Sequence, residues 1–397
     1  MDFSLNAEQQ EFKKWVHDFS ENEIRTVAPK YDETEEFPWE VVKKAAEIGL
    51  YSFDFYAQVG SDEQGLMMVT ALEELAWGCA GITLGLMGTG LPLASLAAVG
   101  TPEQVQKWAP MMFGTPQDPK LGAFCVTEPN AGSDVRALRT TAKRENDGWL
   151  INGQKTFITN GGIADVHIVV ATVDPNLGHR GQATFIVGPD TEGLSQGKKE
   201  KKLGIRASHT SDVIFEDVWV PDDQVLGGME RLEAKLERAK SGQSTGRASG
   251  ALATFEATRP SVGAQAVGIA RAAWEYARDY AKERQTFGRP IIEHQGVGFQ
   301  LADMAMETDA ARLLVQRAAW MARTGQPFTH AEGSMSKLKA GEVAVKVTDQ
   351  AIQVLGGYGY IKEFPVEKWH RDSKIYCIFE GTSEIQRMVI SRALAAE

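Results

Sequence analysis

Apolar side chains recur at helical spacing over the first third of the chain. Residues 8–22 are mostly polar, with apolar side chains every three or four positions, and residues 39–49 repeat that pattern. A further helix is expected just after Thr101, because a proline follows this threonine and a glutamine three positions later completes a capping box. We therefore assign residues 1–120 to an N-terminal α-helical domain.

The pattern changes near residue 120 to short β-branched segments separated by turn-forming residues. We predict strands over residues 121–127, 149–151, 156–159, 166–173, 183–187 and 213–220. Asn152-Gly153 is typical of a two-residue turn, so a β-hairpin is expected there. Residues 121–225 are accordingly interpreted as a middle antiparallel β domain.

Residues 226–250 connect the β domain to the next helical region. Within them, residues 230–240 are charged and carry two leucines four positions apart, which predicts a short amphipathic helix. Residues 241–246 are rich in Gly, Ser, Gln and Thr, a composition typical of a mobile loop. The connection therefore combines a helix with a loop.

The last third of the chain is again helical. Long alanine-rich helices are predicted over residues 262–284, 296–325 and 334–355, a pattern that favours a helix bundle. A closing helix is expected from Ser383, with a capping box over residues 383–386. We assign residues 251–397 to a C-terminal four-helix-bundle domain, so the expected fold is an α+β multidomain protein.

Residues 76–101 contain no charged side chain. A membrane-spanning helix needs about 20 consecutive, predominantly apolar residues. Glycines and a proline interrupt this stretch repeatedly, so we expect a buried helix pair that lines an apolar pocket, and no membrane span.

Composition excludes several classes of function. The 397 residues include 42 Lys and Arg against 53 Asp and Glu, a net charge of −11 that disfavours nucleic-acid binding. Three widely spaced cysteines, Cys79, Cys125 and Cys377, and the lack of a CxxC or HExxH motif argue against a metal site and a disulfide framework. The first residues lack the apolar segment of a secretory signal, so a cytoplasmic location is expected.

Two segments carry candidate chemistry. Residues 127–134 combine turn-forming and hydroxyl side chains after an apolar strand, as in a plain loop or in a loop that binds a polar ligand. Glu380 lies between Phe379 and Gly381, ahead of the closing helix. Desolvation would raise the pKa of this carboxyl and a helix N-terminus would lower it, so a surface glutamate and a partly desolvated base both remain open.

Six segments in this order resemble the acyl-CoA dehydrogenase family, and the resemblance covers nearly the whole chain. They span residues 123–134, 152–160, 202–206, 283–288, 353–359 and 378–387. The resemblance implies an α–β–α subunit, FAD as the cofactor, and oxidation of an acyl-CoA thioester to the trans-2-enoyl-CoA, as in fatty acid β-oxidation. It also implies a homotetramer built as a dimer of dimers.

The same resemblance implies which residue removes the substrate proton. Glu380 falls on the position of the catalytic base in short- and medium-chain members. Thr258 occupies the place where other members carry the base, and its hydroxyl cannot serve in that role. In the family the base removes the α-proton while the β-hydrogen leaves as hydride to the flavin, and a backbone N–H of the base residue polarises the thioester carbonyl. The implied substrate contacts are Ser133, Glu256, Arg259, Phe379 and Gly381.

The resemblance also implies two sets of FAD contacts. One set follows the β domain and comprises Phe124, Val126, Thr127, Gly132, Ser133, Phe157 and Thr159. The other reaches the FAD of a neighbouring subunit and comprises Arg284, Thr286, Phe287, Gln353, Gly357, Thr382 and Glu384. Phe157 replaces the family's usual tryptophan, Phe379 a frequent tyrosine and Glu384 a frequent glutamine.

Several functional questions stay open at this stage. The expected enzyme passes electrons to an electron-transfer flavoprotein, while the alternatives are an acyl-CoA oxidase and a catalytically silent acyl-CoA or flavin-binding module. Residues 229–249 exceed the usual family length and form either a surface excursion or a flap over the CoA entrance. The acyl chain length depends on the packing of residues such as Leu84, Met87, Leu91 and Leu93.

Overall fold

A computed structural model describes residues 4–242 and 250–395, with the backbone alone for residues 250–257. The N-terminal region is helical, as predicted. Its helices are α1 (Ala7–Phe19), α2 (Ala28–Thr34), α3 (Trp39–Glu47), α4 (Phe53–Ser61), α5 (Leu66–Met87), α6 (Gly90–Val99) and α7 (Pro102–Phe113), with a π-helical turn over Ser20–Arg25. The capping box at Thr101 is confirmed, since its side chain accepts from the N–H of Gln104 and the Gln104 side chain accepts from the N–H of Thr101.

Helices α5 and α6 contain the uncharged stretch and form the predicted buried pair. By length and composition α5 could cross a membrane, but 94% of its most apolar window is buried inside the protein. A core helix satisfies the same criterion. Gly268 explains how closely α5 meets the C-terminal region, because a Cβ at this position would lie 2.3 Å from the carbonyl oxygen of Glu73.

The middle region is one mixed sheet. Its strands are β1 (Gly122–Cys125), β2 (Thr141–Glu145), β3 (Gly148–Thr159), β4 (Val166–Thr172), β5 (Gln182–Val187), β6 (Leu194–Lys199) and β7 (Thr210–Pro221). The predicted antiparallel pairing is present in β2–β3, β3–β7, β4–β5 and β6–β7. Strand β4 departs from it, since β1 and the first residue of β2 pair with β4 in parallel. Residues 149–151 and 156–159 belong to one continuous strand, and β2 and β6 were not predicted.

The hairpin predicted at Asn152-Gly153 is wrong. These residues lie inside β3, where the register shifts between Ile151 and Gly153 in a β-bulge against β7. Asn152 fixes the bulge, because its side-chain oxygen accepts the N–H of Asp217 at 2.9 Å and its amide donates to the Asp217 carboxylate at 2.9 Å. The chain reverses instead at residues 146–147, with Asn146 at φ 52°. Asn-Gly suits a bulge as well as a turn, so local composition could not separate the two.

Helix α8 (Met229–Lys240) confirms the amphipathic helix predicted between the domains. Leu232 is buried against the β domain, Lys235 donates to the carbonyl of Gln182, and Arg231 donates to the carbonyl of Val99 at 3.1 Å. The helix is therefore anchored to both the sheet and the end of α6. Most of the loop predicted over residues 241–246 lies outside the described residues.

The C-terminal region confirms the long helices. They are α9 (Gly250–Glu283), α10 (Gln295–Arg323), α11 (Glu332–Leu355), α12 (Val366–Ser373) and α13 (Ser383–Leu394), with a short hairpin of β8 (Gln285–Thr286) and β9 (Arg289–Pro290) after α9. One apolar core extends from the N-terminal helices into this bundle. A buried ion-pair cluster joins the same two regions, because Arg271 on α9 contacts Glu73 and Glu74 on α5.

The capping box predicted over residues 383–386 is wrong, because the helix is capped one residue earlier and by a single side chain. The N-cap is Thr382, whose hydroxyl accepts the N–H of Ile385 at 3.3 Å. Gln386 does not bond back to the cap. Its side chain donates instead to the carbonyls of Glu380 and Gly381, in the turn that precedes the helix.

Candidate active site

Glu380 lies on a strained turn just before α13. Its φ is 54°, and that of Gly381 is 87°, so two successive residues are left-handed, which is unfavourable for a glutamate. Gln386 supports the turn by donating to the carbonyls of Glu380 at 3.1 Å and Gly381 at 2.9 Å. Lys337 on α11 donates to the same Gly381 carbonyl at 2.7 Å. These bonds fix the direction in which the carboxyl group projects.

The surroundings of Glu380 favour a titratable carboxyl group. Burial raises its pKa from 4.5 to about 7, while a hydrogen bond from Thr258 and the charges of Lys337 and Arg259 act in the opposite direction. The Thr258 hydroxyl donates to Glu380 Oε2 at 3.0 Å. The net direction is upward, so desolvation outweighs the hydrogen bond and the two cations. A general base works best when its pKa lies near the operating pH, and Glu380 meets that condition.

Two buried cations flank this carboxyl group. Lys337 is 1% exposed and Arg259 is 3% exposed. Burial lowers the pKa of Lys337 to about 8, partly offset by Cys377 and Glu380. Arg259 donates from Nη1 to the Ser334 hydroxyl at 2.8 Å.

Two further predicted substrate contacts can be placed beside Glu380. Phe379 is half-buried, with its ring edge-on to Tyr376 at 5.1 Å between centroids. Gly381 belongs to the strained turn itself. The side chain of Glu256 lies outside the described residues.

The loop after β1 is held by a buried ion pair that the sequence analysis missed. Lys155, on β3 and fully buried, donates to Glu128 at 2.8 Å and to the carbonyl of Val126 at 2.9 Å. Glu128 also accepts the N–H groups of Arg139 at 2.6 Å and Thr140 at 2.9 Å. Burial would raise the pKa of Glu128, but the Lys155 charge and these hydrogen bonds outweigh it and keep the pKa below its usual value. The sequence offered one sign of this pair, a charged lysine between the predicted strands of residues 149–151 and 156–159.

The residues predicted to meet the flavin from the β domain lie on β1, on the loop that follows it and on β3, and they differ in exposure. Val126 is buried, Phe124, Thr127 and Thr159 are half-buried, and Gly132 and Ser133 are exposed. Phe157 is 65% exposed and has a φ of 57°. The exposed Phe157 ring and the open space at Gly132, where a Cβ would meet no atom within 4 Å, both fit the binding of a large flat ring such as that of FAD.

The second predicted FAD set falls on two other surfaces. Arg284, Thr286 and Gly357 meet in a cleft of about 540 Å³, although they come from separate segments. The Arg284 guanidinium lies 5.7 Å from the centre of the Tyr358 ring in that cleft. Phe287 is 97% exposed, and Gln353 is exposed on the last turns of α11. Thr382 and Glu384 line a different cleft of about 350 Å³.

The predicted apolar pocket residues lie at the junction of α5 and α6. Leu84, Met87 and Leu93 are buried and Leu91 is half-buried. The Thr89 hydroxyl fixes this junction, because it bonds to the Tyr51 hydroxyl at 2.9 Å and accepts the N–H of Gly122, at the start of β1, at 3.1 Å. The apolar helices are thereby tied to the strand that leads into the loop of Glu128.

Comparisons with known proteins agree with this arrangement over the full chain. Family profiles described as "Acyl-CoA dehydrogenase" match in three parts: the N-terminal domain over residues 6–114, the middle domain over residues 123–218 and the C-terminal domain over residues 248–395. The chain is 41% identical to the short-chain specific acyl-CoA dehydrogenase of Clostridium acetobutylicum, covering 98% of this chain and 99% of that protein.

Solved structures give the same result. The butyryl-CoA dehydrogenase of Megasphaera elsdenii superposes with a TM-score of 0.89 at 37% identity, covering 100% of both chains. A chain from a structure of the electron transferring flavoprotein of Acidaminococcus fermentans, described in terms of flavin-based electron bifurcation, also gives 0.89, at 35% identity and 100% coverage of both chains.

Proposed function

The chain belongs to the acyl-CoA dehydrogenase family and is an FAD-dependent acyl-CoA dehydrogenase, and we propose that Glu380 is its catalytic base. The observation that carries this proposal is the raised pKa of Glu380, about 7, on a turn that Lys337 and Gln386 hold in place. Near neutral pH such a carboxyl group is ionised often enough to accept a proton and basic enough to retain it.

The reaction requires removal of a weakly acidic proton from the carbon next to the thioester carbonyl. Glu380 accepts that proton, and the backbone N–H of the same residue donates to the carbonyl oxygen, where negative charge develops. Thr258 orients the carboxyl group through its hydrogen bond to Oε2 at 3.0 Å. Phe379, beside Glu380 in the chain, shields the reacting carbon from water, while Ser133, Glu256, Arg259 and Gly381 complete the proposed substrate contacts.

FAD, when bound, supplies the acceptor for the hydride that leaves the β-carbon. The residues proposed to hold it on the β domain are Phe124, Val126, Thr127, Gly132, Ser133, Phe157 and Thr159. Arg284, Thr286, Phe287, Gln353, Gly357, Thr382 and Glu384 are proposed to contact the FAD of a second subunit. The exposure of Phe287 supports this assignment, because an aromatic ring that is 97% exposed in one subunit is available to a second subunit or its cofactor. A homotetramer is therefore part of the proposal.

Short-chain acyl-CoA thioesters are the proposed substrates, and an electron-transfer flavoprotein is the proposed electron acceptor, in β-oxidation of fatty acids. Support comes from the short-chain specific relative and from the neighbour studied with its electron transferring flavoprotein.

Anaerobic mixing of the flavin-loaded enzyme with acyl-CoAs from butyryl to palmitoyl tests the substrate class. Bleaching of the flavin absorbance should be fastest with butyryl-CoA, and preference for a long or branched chain would contradict the short-chain assignment. Rapid reoxidation by oxygen in place of an electron-transfer flavoprotein would identify an oxidase.

The Glu380→Gln variant tests the base. It preserves the size of the side chain but cannot accept the proton, so the bleaching rate should fall about 10²- to 10⁴-fold. Flavin content and acyl-CoA affinity should be retained. A variant that still bleaches at the wild-type rate would exclude Glu380 as the base.

A further inference from the structure

Lys337 is a buried amine that exchanges no proton or electron in the reaction described above. It lies on α11 and is 1% exposed, although an ammonium group is costly to bury. Its Nζ donates to the carbonyl of Gly381, the residue after the proposed base, at 2.7 Å. We propose that Lys337 is a positioning residue that anchors the turn carrying Glu380 and stabilises the Glu380 side chain as a carboxylate. This inference rests on the proposed role of Glu380.

The first part of the proposal concerns backbone geometry. Glu380 and Gly381 both have positive φ, at 54° and 87°, which the chain adopts only when its surroundings compensate for the strain. The Gly381 carbonyl receives two donors, Lys337 at 2.7 Å and Gln386 at 2.9 Å. Of these two donors only Lys337 is a cation, and it comes from a different helix, so it ties the turn to the bundle.

The second part concerns charge. Four titratable or charged groups act on Lys337: Glu380 on the turn, Cys377 just before it, Arg259 on α9 and Glu384 on α13. Glu380 in turn faces Lys337, Arg259 and the hydroxyl of Thr258. The positive charge of Lys337 opposes the rise in the pKa of Glu380 that burial causes. Since the pKa of Lys337 itself is about 8, the ammonium group remains largely charged over the range in which Glu380 titrates.

The pH dependence of kcat/KM tests this role in the flavin-loaded enzyme. In Lys337→Met the Glu380 carboxyl group should stay protonated to higher pH, so the acidic limb should move upward by about one pH unit. Lys337→Arg should leave the limb close to its wild-type position. Lys346→Met is the matched control, because Lys346 is on the same helix but is 51% exposed and pairs with Glu307 at 3.2 Å.

A merely structural lysine gives a different result. Loss of the fold or of bound flavin would lower kcat/KM by the same factor at every pH. Either that result, or an acidic limb of the kcat/KM profile that stays at its wild-type pH, would overturn the proposal. Lys337→Gln provides a second, polar variant if the methionine variant folds poorly. Infrared titration of the protonated carboxyl band, with the Glu380→Gln spectrum subtracted, reports the same shift without turnover.

These experiments separate the two proposals. An active Glu380→Gln enzyme would remove the base assignment and this inference with it. An inactive Glu380→Gln enzyme together with an unmoved limb in Lys337→Met would leave the base assignment intact and overturn only the role of Lys337.

Discussion

Two glutamates in this protein lie near a buried lysine, and their carboxyl groups behave in opposite ways. Glu128 bonds directly to Lys155 at 2.8 Å and also accepts two backbone N–H groups, at 2.6 and 2.9 Å. Glu380 accepts the Thr258 hydroxyl at 3.0 Å, while Lys337 donates to the neighbouring carbonyl of Gly381. The pKa of Glu128 is held below its usual value, whereas that of Glu380 rises to about 7.

The difference shows how one pair of residue types can serve two purposes. Direct contact and additional donors keep Glu128 ionised, so the pair can hold the loop of residues 127–134 in place. Lys337 instead donates to the neighbouring carbonyl of Gly381 and affects Glu380 through its charge, so the Glu380 carboxyl group remains able to bind and release a proton. Both lysines are buried, so the two sites differ in the hydrogen bonds that each glutamate accepts, and these bonds decide the function of the glutamate.

Glu128→Gln should produce the larger change in stability. It leaves the fully buried Lys155 without its countercharge, and breaking such a pair costs about 3–5 kcal/mol of unfolding free energy. Urea unfolding measures the loss, and flavin content should fall with it because the loop is released. Glu216→Gln is the control, an exposed change on β7 that should stay within about 0.5 kcal/mol of wild type.

The double variant Glu128→Gln with Lys155→Met completes this test. Removing both charges should cost less than the sum of the single changes, because neither partner is then left buried and unpaired. Additive losses would contradict the role of the pair and reduce it to two independent packing contributions.

The two glutamates should also give stability opposite dependences on pH. The pKa of Glu380 is raised in the folded state, so between its unfolded value of 4.5 and about 7 the folded protein binds more protons and loses stability as pH rises. Glu380→Gln should remove that loss and become more stable than wild type above pH 7. The pKa of Glu128 is lowered, so its contribution is present above 4.5 and is lost as pH falls.

Unfolding free energies measured from pH 4 to pH 8 test this directly. The advantage of Glu380→Gln over wild type should grow with pH, and the deficit of Glu128→Gln should shrink at the acidic end. Parallel curves for wild type and Glu380→Gln would mean that Glu380 titrates normally in the folded protein.

The sequence predicted the parts of the site that local patterns define. Helices α9 and α11 follow from apolar spacing, and the segment around Glu380 was recognised by its order among six motifs. The pairing of Lys155 with Glu128 was missed because its partners are 27 positions apart and meet only through the sheet. Lys337 was missed for the same reason, since it lies 44 positions before Gly381.

Local signals also failed where one motif suits two structures. Asn152-Gly153 fits a turn and a bulge, and the choice depended on the pairing of β3 with β7. At α13 both Thr382 and Ser383 can cap a helix, and the position of Gln386 was decided by the carbonyls of the preceding turn. The sequence shows which side chains can form hydrogen bonds, while tertiary contacts determine which groups they bond to.

Thr258→Val should produce the smallest effect, and it isolates the one hydrogen bond that the Glu380 carboxyl group accepts from the described residue Thr258. Valine preserves the shape of the side chain but removes the donor to Oε2, so the pKa of Glu380 should rise further above 7. If the Thr258 bond favours the ionised carboxylate over the protonated acid by about 1 kcal/mol, kcat/KM at pH 6 should fall about threefold to tenfold. The loss should vanish near pH 9, where the carboxyl group is ionised in both enzymes. Thr258→Ser retains the hydroxyl and should keep the wild-type profile, whereas an equal loss in the valine and serine variants would assign the effect to packing.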